Sequence, residues 1–456
     1  MDYRSLFSET ERAADRALAK PAEYAAYKKT FNESLKSKDP FFGKMDVQPC
    51  VLAYTPEQRA ALSQLGLQLH QIVEIVIQMY INGVHKLLDE FPQYILFKPL
   101  MERQLISYQE YGRYDFIVDR AGDPVFIETN AAMASGYLPL MTVQEEFAKT
   151  APEFLRVAGM QTEHPKRDEV FGSSIARMVR TFTSDDGAVA VLVDENHKMH
   201  EVEMIAASLR RAGLEVVVGD VADLVYDHGY RLGHDGPEII ATFNKFRLFG
   251  SQHHWSAAAP ARHHTFLEGI RNNAFLSINN FACLTIAEDK AIFAAMRSEA
   301  VQAALTPEQK KFIRRHTPDS YPFSPGMMTL EGTQLLADMR VNRGEWILKP
   351  RNDYRGGGAY SGRDYDAEGW KSLLDTVAAQ ETPYLAQRRV DAHMFRIAVA
   401  EEAVVRREEV RILGGLYYRH LSASGIVARV SPSEIANVSS GKAYVLPDME
   451  IPGAAG

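Results

Sequence analysis

The clearest candidate for a binding or catalytic site in this chain is a lysine at the end of a short apolar strand, followed closely by three glycines. The strand begins at Trp346 and ends on Lys349, and Gly356, Gly357 and Gly358 follow within ten residues. Lysine is unfavourable in a buried strand unless a partner holds its charge. Consecutive glycines allow backbone N–H groups to close around an anion. The segment therefore indicates a phosphate site, although a strand-end lysine beside a plain surface turn explains it equally well.

Two pairs of polar residues have the spacing of side chains on one face of a strand. Glu128 and Asn130 are two residues apart, as are Arg113 and Asp115 one predicted strand earlier. Carboxylate and amide oxygens suit Mg²⁺, which takes its remaining ligands from water and substrate phosphates. Arg113 could hold a substrate carboxylate in a bidentate fork. The alternatives are a solvated strand end for the first pair and a structural ion pair between strands for the second.

Three further polar side chains lie in contexts that suit nucleotide or anion binding. Lys290 comes shortly before a predicted helix, although an exposed helix lysine is the simpler interpretation. Gln387 follows the apolar segment 384–386, a strand whose backbone can offer hydrogen bonds to an adenine edge. Arg429 lies on a strand that leads to a loop of small residues at 436–441, where an anion could again be met. Each of these signals is weak by itself.

Composition excludes several classes of protein. The chain has 456 residues, enough for two or three domains, with 46% apolar and 24% charged residues. A net charge of −8 and a pI near 6.0 argue against a nucleic-acid or anionic-membrane partner. Cys50 and Cys283 cannot form a disulfide framework, and the N-terminus lacks the apolar core of a signal peptide. Polar residues interrupt the apolar stretch 62–88, which favours a buried helix over a membrane span. We therefore expect a soluble cytoplasmic protein.

Two histidine pairs, His253-His254 and His263-His264, suggest metal ligands at first sight. They lie in an Ala/Pro-rich stretch, which favours a loop at the surface or in a substrate-binding unit. The sequence therefore assigns them no function.

The elements that must position these residues fall into three predicted units, the last of which runs from about Ile286 to Pro447 and holds the Lys349 segment with further strands. The first, residues 1–110, is rich in helix formers, and Thr55-Pro56-Glu57-Gln58 has the pattern of a helix N-terminus with a capping box. The helix that follows is predicted to run to about Glu90. Apolar runs at 114–118 and 124–127 surround a Gly-Asp turn and predict a β-hairpin.

The second unit, residues 185–285, has the pattern of a βαβ fold. A continuous apolar run at 188–193, a helical pattern at 201–212 and an apolar run at 213–218 predict parallel strands joined by a helix. Strands at 239–243 and 275–278 extend the sheet. The fingerprint Gly-x-Gly-x-x-Gly does not follow the first strand, which argues against a dinucleotide site and makes a dehydrogenase the weakest of the possible functions.

In combination and order, these motifs resemble the circularly permuted ATP-grasp ligases. They are similar to eukaryotic-type glutathione synthetase and, more distantly, to the synthetase domain of glutathionylspermidine synthase, from about Arg113 to Leu446. The resemblance implies an α/β (α+β) fold. That fold would be an ATP-grasp core in circularly permuted order, with an inserted Rossmann-like substrate domain and a helical N-terminal region. The implied boundaries are 1–110 for the helical region, 111–180 for the permuted part of the core with the metal-binding hairpin, 185–285 for the Rossmann-like domain and 286–447 for the nucleotide-binding and lid region.

The resemblance also implies a role for each candidate residue, with ATP and Mg²⁺ as cofactors. The residues expected to bind ATP are Lys290, Lys349, Gly356, Gly357, Gly358 and Gln387. Those expected to bind Mg²⁺ are Glu128, Asn130 and Asp353. Those expected to bind substrate are Arg113, Asp115, Ser135 and Arg429, and those expected to act in catalysis are Arg113, Arg429 and Lys349. The terminal loop departs from the family pattern, with Ser431 in place of a lysine and Ser439-Ser440-Gly441 in place of a double glycine.

The implied activity is an ATP-dependent carboxylate–amine ligase that forms an amide bond through an acyl phosphate. Its partners would be a small amino acid, peptide or amine, with no nucleic acid and no membrane, and the family often forms homodimers. Two alternatives remain: a phosphotransferase on the same scaffold, which needs no amine, and a nucleotide-binding protein without turnover. The departures in the terminal loop affect glutathione synthesis itself more than ligase chemistry in general.

Overall fold

A computed structural model describes most of the chain. The described residues are 3–102, 111–131, 134–157, 160, 167–194, 200–246, 248, 261–324, 326–352, 358–419, 422–435 and 443–451. Several predicted site residues lie outside them: Asp353, Gly356, Gly357, the pair His253-His254 and the loop 436–441.

The helices, in chain order, are α1 Ser8–Ala19, α2 Pro21–Lys38, α3 Pro56–Ile81, α4 His85–Glu90, α5 Lys98–Met101, α6 Tyr137–Thr150, α7 Arg167–Phe182, α8 His200–Arg211, α9 His264–Arg271, α10 Ile292–Ala295, α11 Glu299–Ala304, α12 Pro307–His316, α13 Leu335–Val341 and α14 Ala367–Ala378. The strands are β1 Leu52–Tyr54, β2 Tyr111–Val118, β3 Pro124–Asn130, β4 Ala188–Val193, β5 Glu215–Asp220, β6 Leu224–Tyr226, β7 Tyr230–Leu232, β8 Ile239–Lys245, β9 Leu276–Ile278, β10 Ser320–Pro322, β11 Trp346–Pro350, β12 Tyr360–Ser361, β13 Tyr384–Arg388, β14 Phe395–Glu401, β15 Val404–Arg419, β16 Ser422–Ser431, β17 Tyr444–Leu446 and β18 Asp448–Glu450.

The central helix α3 begins as its sequence predicts and ends earlier. The Thr55 side chain accepts a hydrogen bond from the Gln58 backbone N–H, and the Gln58 side chain accepts one from the Thr55 backbone N–H, which confirms the capping box. The predicted extension to Glu90 is wrong, because the chain turns after Ile81 through Gly83 at φ +76° and starts α4 at His85. Within the described residues, α3 is the one helix with the length and apolar composition to cross a membrane. Its side chains Ile72, Val73, Val76 and Ile77 are fully buried in the protein core.

The predicted hairpin forms part of a six-stranded antiparallel sheet. Strands β2 and β3 pair with each other, and β2 also pairs with β15, in the strand order β17-β16-β15-β2-β3, with β14 beside β15. The sheet therefore combines a hairpin from the first third of the chain with strands from its last quarter. The N-terminal region joins the C-terminal end as well, since β1 pairs in parallel with β18.

The other two main sheets differ in the relative direction of their strands. The βαβ pattern forms a parallel sheet in the order β5-β4-β8-β9, with α8 between β4 and β5 in the chain, as predicted. Strands β10-β13-β11-β12 form a four-stranded antiparallel sheet. That small sheet has its own hydrophobic core, which includes Trp346 and Trp370, whereas the rest of the described chain shares one large core. The fold is thus a mixed α+β fold.

Candidate functional site

Lys349 and Gln387 lie on neighbouring strands of the small sheet, at the point where it meets the six-stranded sheet. The Lys349 ammonium donates a hydrogen bond of 2.8 Å to Gln387 Oε1. Gln387 Nε2 donates to Ser320 Oγ at 3.2 Å and more weakly to the Ile127 carbonyl on β3 at 3.5 Å. The Gln387 side chain is buried, so its amide holds Lys349 in place and links the two sheets.

Lys290 approaches the same point from a different segment. Its ammonium lies 3.3 Å from Glu128 Oε1, and its side chain is only 8% exposed. The simpler interpretation as an exposed helix lysine is therefore wrong. Burial, together with the positive charge of Lys290, lowers the pKa of Lys349 to about 8 against the opposing effect of Glu128. Two lysines that are 59 residues apart in the chain thus share one carboxylate environment.

Asn130 extends the site along β3. It lies two residues from Glu128, opposite Arg113 in the pairing of β2 with β3. Its side chain is buried, and its Nδ2 atom has no hydrogen-bond partner among the described residues. The Glu128 carboxylate and the Asn130 amide oxygen are a donor set that fits Mg²⁺ bound jointly with phosphate oxygens, and the unpaired Nδ2 group is a donor that suits a phosphate oxygen. The third expected ligand, Asp353, lies outside the described residues.

Arg113, Asp115 and Arg429 form a charged triad on the face of the six-stranded sheet. Arg113 donates to both oxygens of Asp115 at 2.5 and 3.0 Å, and Arg429 donates to Asp115 Oδ2 at 2.8 Å. The Arg113–Asp115 pair lies within β2 and not between strands, and it is Arg429 that ties β2 to β16. Burial acts to raise the pKa of Asp115, but the two guanidinium groups outweigh burial and hold that pKa below its usual range. Arg429 Nε is buried without a partner in the part of the chain that the structure describes.

A glycine makes room for this triad. A Cβ atom on Gly415, which pairs with Asp115, would lie 2.5 Å from Arg113 Cδ and 2.5 Å from Val427 Cγ1. Such distances are far below van der Waals contact, so a larger residue would displace the arginine. The sequence showed two adjacent glycines, Gly414 and Gly415, inside a strand, which is the pattern expected where something approaches the backbone closely.

Ser135 is in contact with Lys245, a residue of the site that the sequence analysis did not identify. Lys245 Nζ donates to Ser135 Oγ at 3.1 Å and to the Ala134 carbonyl at 2.7 Å, and it lies 3.5 Å from Glu201 Oε2. Burial lowers the pKa of Lys245, and Glu201 opposes that shift. The Ser135 carbonyl accepts from Arg113 Nη1 at 2.7 Å. A signal did exist, because Lys245 ends an apolar strand in the same way as Lys349 does.

Lys245 and Glu201 lie at the carboxyl edge of the parallel sheet, at the end of β8 and in the first turn of α8. Ligands of open α/β sheets bind at such edges. Glu201 Oε1 also accepts a hydrogen bond of 2.8 Å from the Gly136 backbone N–H. The parallel sheet therefore forms one wall of the site, next to Ser135.

The second histidine pair takes no part in this site. His263 is buried in a 3-10 turn against the Phe246 ring, with ring centroids 5.2 Å apart, and burial lowers its pKa to about 4. His264 is exposed at the start of α9. No group of three or more His, Cys, Asp or Glu side chains in the described part of the chain is placed to hold a metal ion.

Comparison with known proteins gives a likeness at the level of fold. No protein-family model matches the chain, and no curated protein matches it in sequence. Among solved structures, the chain is similar to a glutathione synthetase-like effector from Globodera pallida, in its apo form. The match has a TM-score of 0.53 with 11% sequence identity, and it covers 99% of this chain and 98% of that chain. At this identity the likeness shows a fold similar to that of a glutathione synthetase-like protein, and the activity has to be argued from the site.

Proposed function

We propose that the chain is an ATP-dependent carboxylate–amine ligase with an ATP-grasp core in circularly permuted order. The observation that carries the proposal is the convergence of Lys290 and Lys349 beside Glu128, between two antiparallel sheets. The permuted order is supported by the six-stranded sheet, in which the β2–β3 hairpin joins strands from the other end of the chain through the pairing of β2 with β15. The full-length likeness to a glutathione synthetase-like fold agrees with it.

The charge of the site suits a nucleoside triphosphate. Arg113, Arg429, Lys290 and Lys349 contribute four cations, and Asp115 and Glu128 contribute two carboxylates, so these six side chains sum to +2. Phosphoryl transfer depends mainly on positioning and on cations that offset the phosphate charge.

In this assignment the two lysines bind ATP phosphates, and Gly358, the described residue of the glycine segment, has a φ of +66° that favours glycine. Glu128 and Asn130 would hold Mg²⁺, whose contribution is to neutralise phosphate charge.

The reaction would proceed in two steps on the substrates. A substrate carboxylate oxygen attacks the γ-phosphorus of ATP, the bond to the β-phosphate oxygen breaks, and an acyl phosphate and ADP result. An amine then attacks the acyl carbon, loses a proton and displaces inorganic phosphate, which leaves an amide. The unpartnered Nε of Arg429 offers a hydrogen bond to the carboxylate or to the acyl phosphate. Lys245 and Ser135 bound the side of the site from which the second substrate would approach.

The test is ADP release from Mg-ATP against pooled amino acids, small peptides and amines, with mass spectrometry of the products. A ligase releases ADP only when a carboxylate and an amine are both present, and it yields a condensed product. ADP released with one compound alone would favour the phosphotransferase, and the absence of ADP with retained ATP binding would favour a binding protein.

A matched pair of variants ties the activity to the site. Lys349→Met removes a half-buried site lysine, and Lys371→Met removes an exposed lysine on α14. The first is expected to abolish ATP turnover and the second to leave it unchanged. Full turnover in Lys349→Met would exclude this site as the place of reaction.

A further inference from the structure

A buried ion pair lies directly beside the two site lysines and belongs to neither of the groups described above. Arg351 donates to Asp289 through Nε at 2.9 Å and through Nη2 at 2.8 Å, and both side chains are buried. Asp289 precedes Lys290 in the chain, and Arg351 lies two residues after Lys349. The backbone N–H of Lys290 donates to the Arg351 carbonyl at 3.1 Å. The pair therefore fastens together the two segments that carry the lysines.

The N-terminal region supplies the rest of this cluster. Gln93 Nε2 and the Tyr94 hydroxyl donate to Asp289 Oδ2 at 3.0 and 3.2 Å. Arg351 Nη2 donates to the Glu90 carbonyl at 3.0 Å, and its guanidinium lies over the Phe91 ring, 5.5 Å from the centroid. Residues 90–94 thus contact both members of the ion pair.

Such a cluster stabilises the contact between two segments only weakly. A buried ion pair gains little over an apolar pair of the same size, because both charges must be desolvated. Its advantage is a fixed geometry, since a bidentate fork sets both distance and orientation. Phosphate-binding lysines need that fixed geometry. A distant mutation that misplaces a reacting group by 1 Å can lower a rate by about two orders of magnitude.

We propose that Asp289 and Arg351, braced by Gln93 and Tyr94, are positioning residues for the site lysines, so that the N-terminal helical region completes the ATP site. This inference rests on the proposed function, because the lysines are taken to bind ATP. Their exposure to a labelling reagent can nevertheless be measured without ATP. Residues 90–94 then have a role that their sequence does not suggest.

The test compares two double variants of the full chain. Asp289→Asn/Arg351→Gln removes both charges together, because the loss of one charge would leave the other buried without a counter-ion. Asp123→Asn/Arg315→Gln is the control, an ion pair of the same geometry in which the arginine is exposed. Arg315 forms the same fork with Asp123, through Nε at 2.9 Å and Nη2 at 2.8 Å, between α12 and the turn of the β2–β3 hairpin.

The first readout is the rate at which an amine-reactive ester labels Lys290, Lys349 and Lys245, measured by peptide mass spectrometry. The Asp289/Arg351 variant is expected to label at least about fivefold faster at Lys290 and Lys349, while the buried Lys245 stays protected. That contrast separates local displacement from general unfolding. The second readout is MgATP affinity, expected to fall about tenfold in this variant and to stay within about twofold in the control. Tyr94→Phe, which removes the hydroxyl with its hydrogen bonds to Asp289 and Asn352 and keeps the ring, should weaken MgATP binding about threefold.

The outcomes distinguish this inference from the proposed function. If the wild-type chain binds no MgATP, the ligase proposal fails, and the labelling contrast alone decides the positioning role. If Lys290 and Lys349 label at wild-type rates in the Asp289/Arg351 variant and MgATP affinity is unchanged, the positioning role is overturned. Equal losses of Lys245 protection and MgATP binding would also overturn it, since the pair would then serve general stability.

Discussion

Two groups of charged side chains meet at this site, the triad around Asp115 and the lysines around Glu128. Their environments shift the balance between charged and neutral forms in opposite directions. In the triad, Asp115 receives hydrogen bonds of 2.5 to 3.0 Å from Arg113 and Arg429, and its pKa falls despite burial. Lys349 instead donates to the neutral amide of Gln387, and burial lowers its pKa to about 8. The triad favours its charged forms, whereas the environment of Lys349 disfavours the ammonium.

The difference separates stability from function within one site. A carboxylate between two arginines contributes to the folded state without any ligand, and removal of one member leaves unpaired buried charge. A lysine that loses solvent without gaining a full counter-charge destabilises the folded state, and an incoming anion relieves that cost. The first group therefore holds β2 to β16 while it leaves Arg429 Nε for a ligand, and the second is prepared for phosphate.

The largest expected effect comes from breaking the triad. Asp115→Asn leaves two half-buried guanidinium groups without their buried carboxylate, so we expect the free energy of unfolding to fall by about 3–5 kcal/mol. Urea unfolding followed by circular dichroism measures this. The control Asp375→Asn breaks the exposed Arg340–Asp375 pair on the surface and is expected to change stability by less than about 1 kcal/mol. Similar losses in both variants would show that the triad contributes no more to stability than an exposed ion pair does.

Lys349→Met is expected to stabilise the folded chain, in contrast to Asp115→Asn. At neutral pH it removes an ammonium that burial disfavours, which should raise the free energy of unfolding by roughly 1–3 kcal/mol. The gain should be largest below pH 8, where native Lys349 is charged, and should vanish towards pH 10.5, where the lysine is neutral in both folded and unfolded chains. MgATP affinity should fall at least about a hundredfold, roughly 2.7 kcal/mol. Thermal unfolding across pH and equilibrium binding measure the two effects, and a destabilised variant would show that Lys349 is satisfied without a ligand.

Gly415→Ala tests whether the triad depends on space above the backbone. The added methyl group must displace Arg113 or Val427, at an expected loss of about 1–3 kcal/mol. Gly344→Ala is the control, because the nearest atom to a Cβ there is Arg363 Cγ at 3.7 Å, an ordinary contact. Equal unfolding midpoints for the two variants would show that Arg113 has room to move.

The smallest expected effect is a pH dependence of ligand binding. With a pKa of about 8 in the empty site, Lys349 is protonated below that pH and attracts phosphate, so MgATP affinity should decline above it by up to about tenfold per pH unit. Lys349→Arg, which keeps its charge throughout this range, should remove the decline. Calorimetric titrations between pH 6.5 and 9.5 measure it. A decline of equal size in the arginine variant would assign it to another group.

Part of the structure was fixed by local sequence. The Thr55 capping box, the β2–β3 hairpin and the parallel strands around α8 all follow from patterns that span a few residues, because capping, turn chemistry and side-chain alternation act over that range. The chemical types at the site were also readable, since Lys349, Glu128 and Asn130 follow from strand periodicity and composition. The end of α3 was misjudged, because the apolar pattern continues past Gly83 while the backbone turns there.

Tertiary structure alone decided which charge meets which. Asp115 is paired with Arg429 across 314 residues, and Arg351 with Asp289 across 62, so periodicity within a segment carries no information on either contact. Lys245 shows the same limit, since it ends an apolar strand as Lys349 does, and only the folded chain places it against Ser135. The sequence by itself determined the elements and the residue types. Their pairing depended on how the sheets pack, because the energy of a buried charge is set by its neighbours in space.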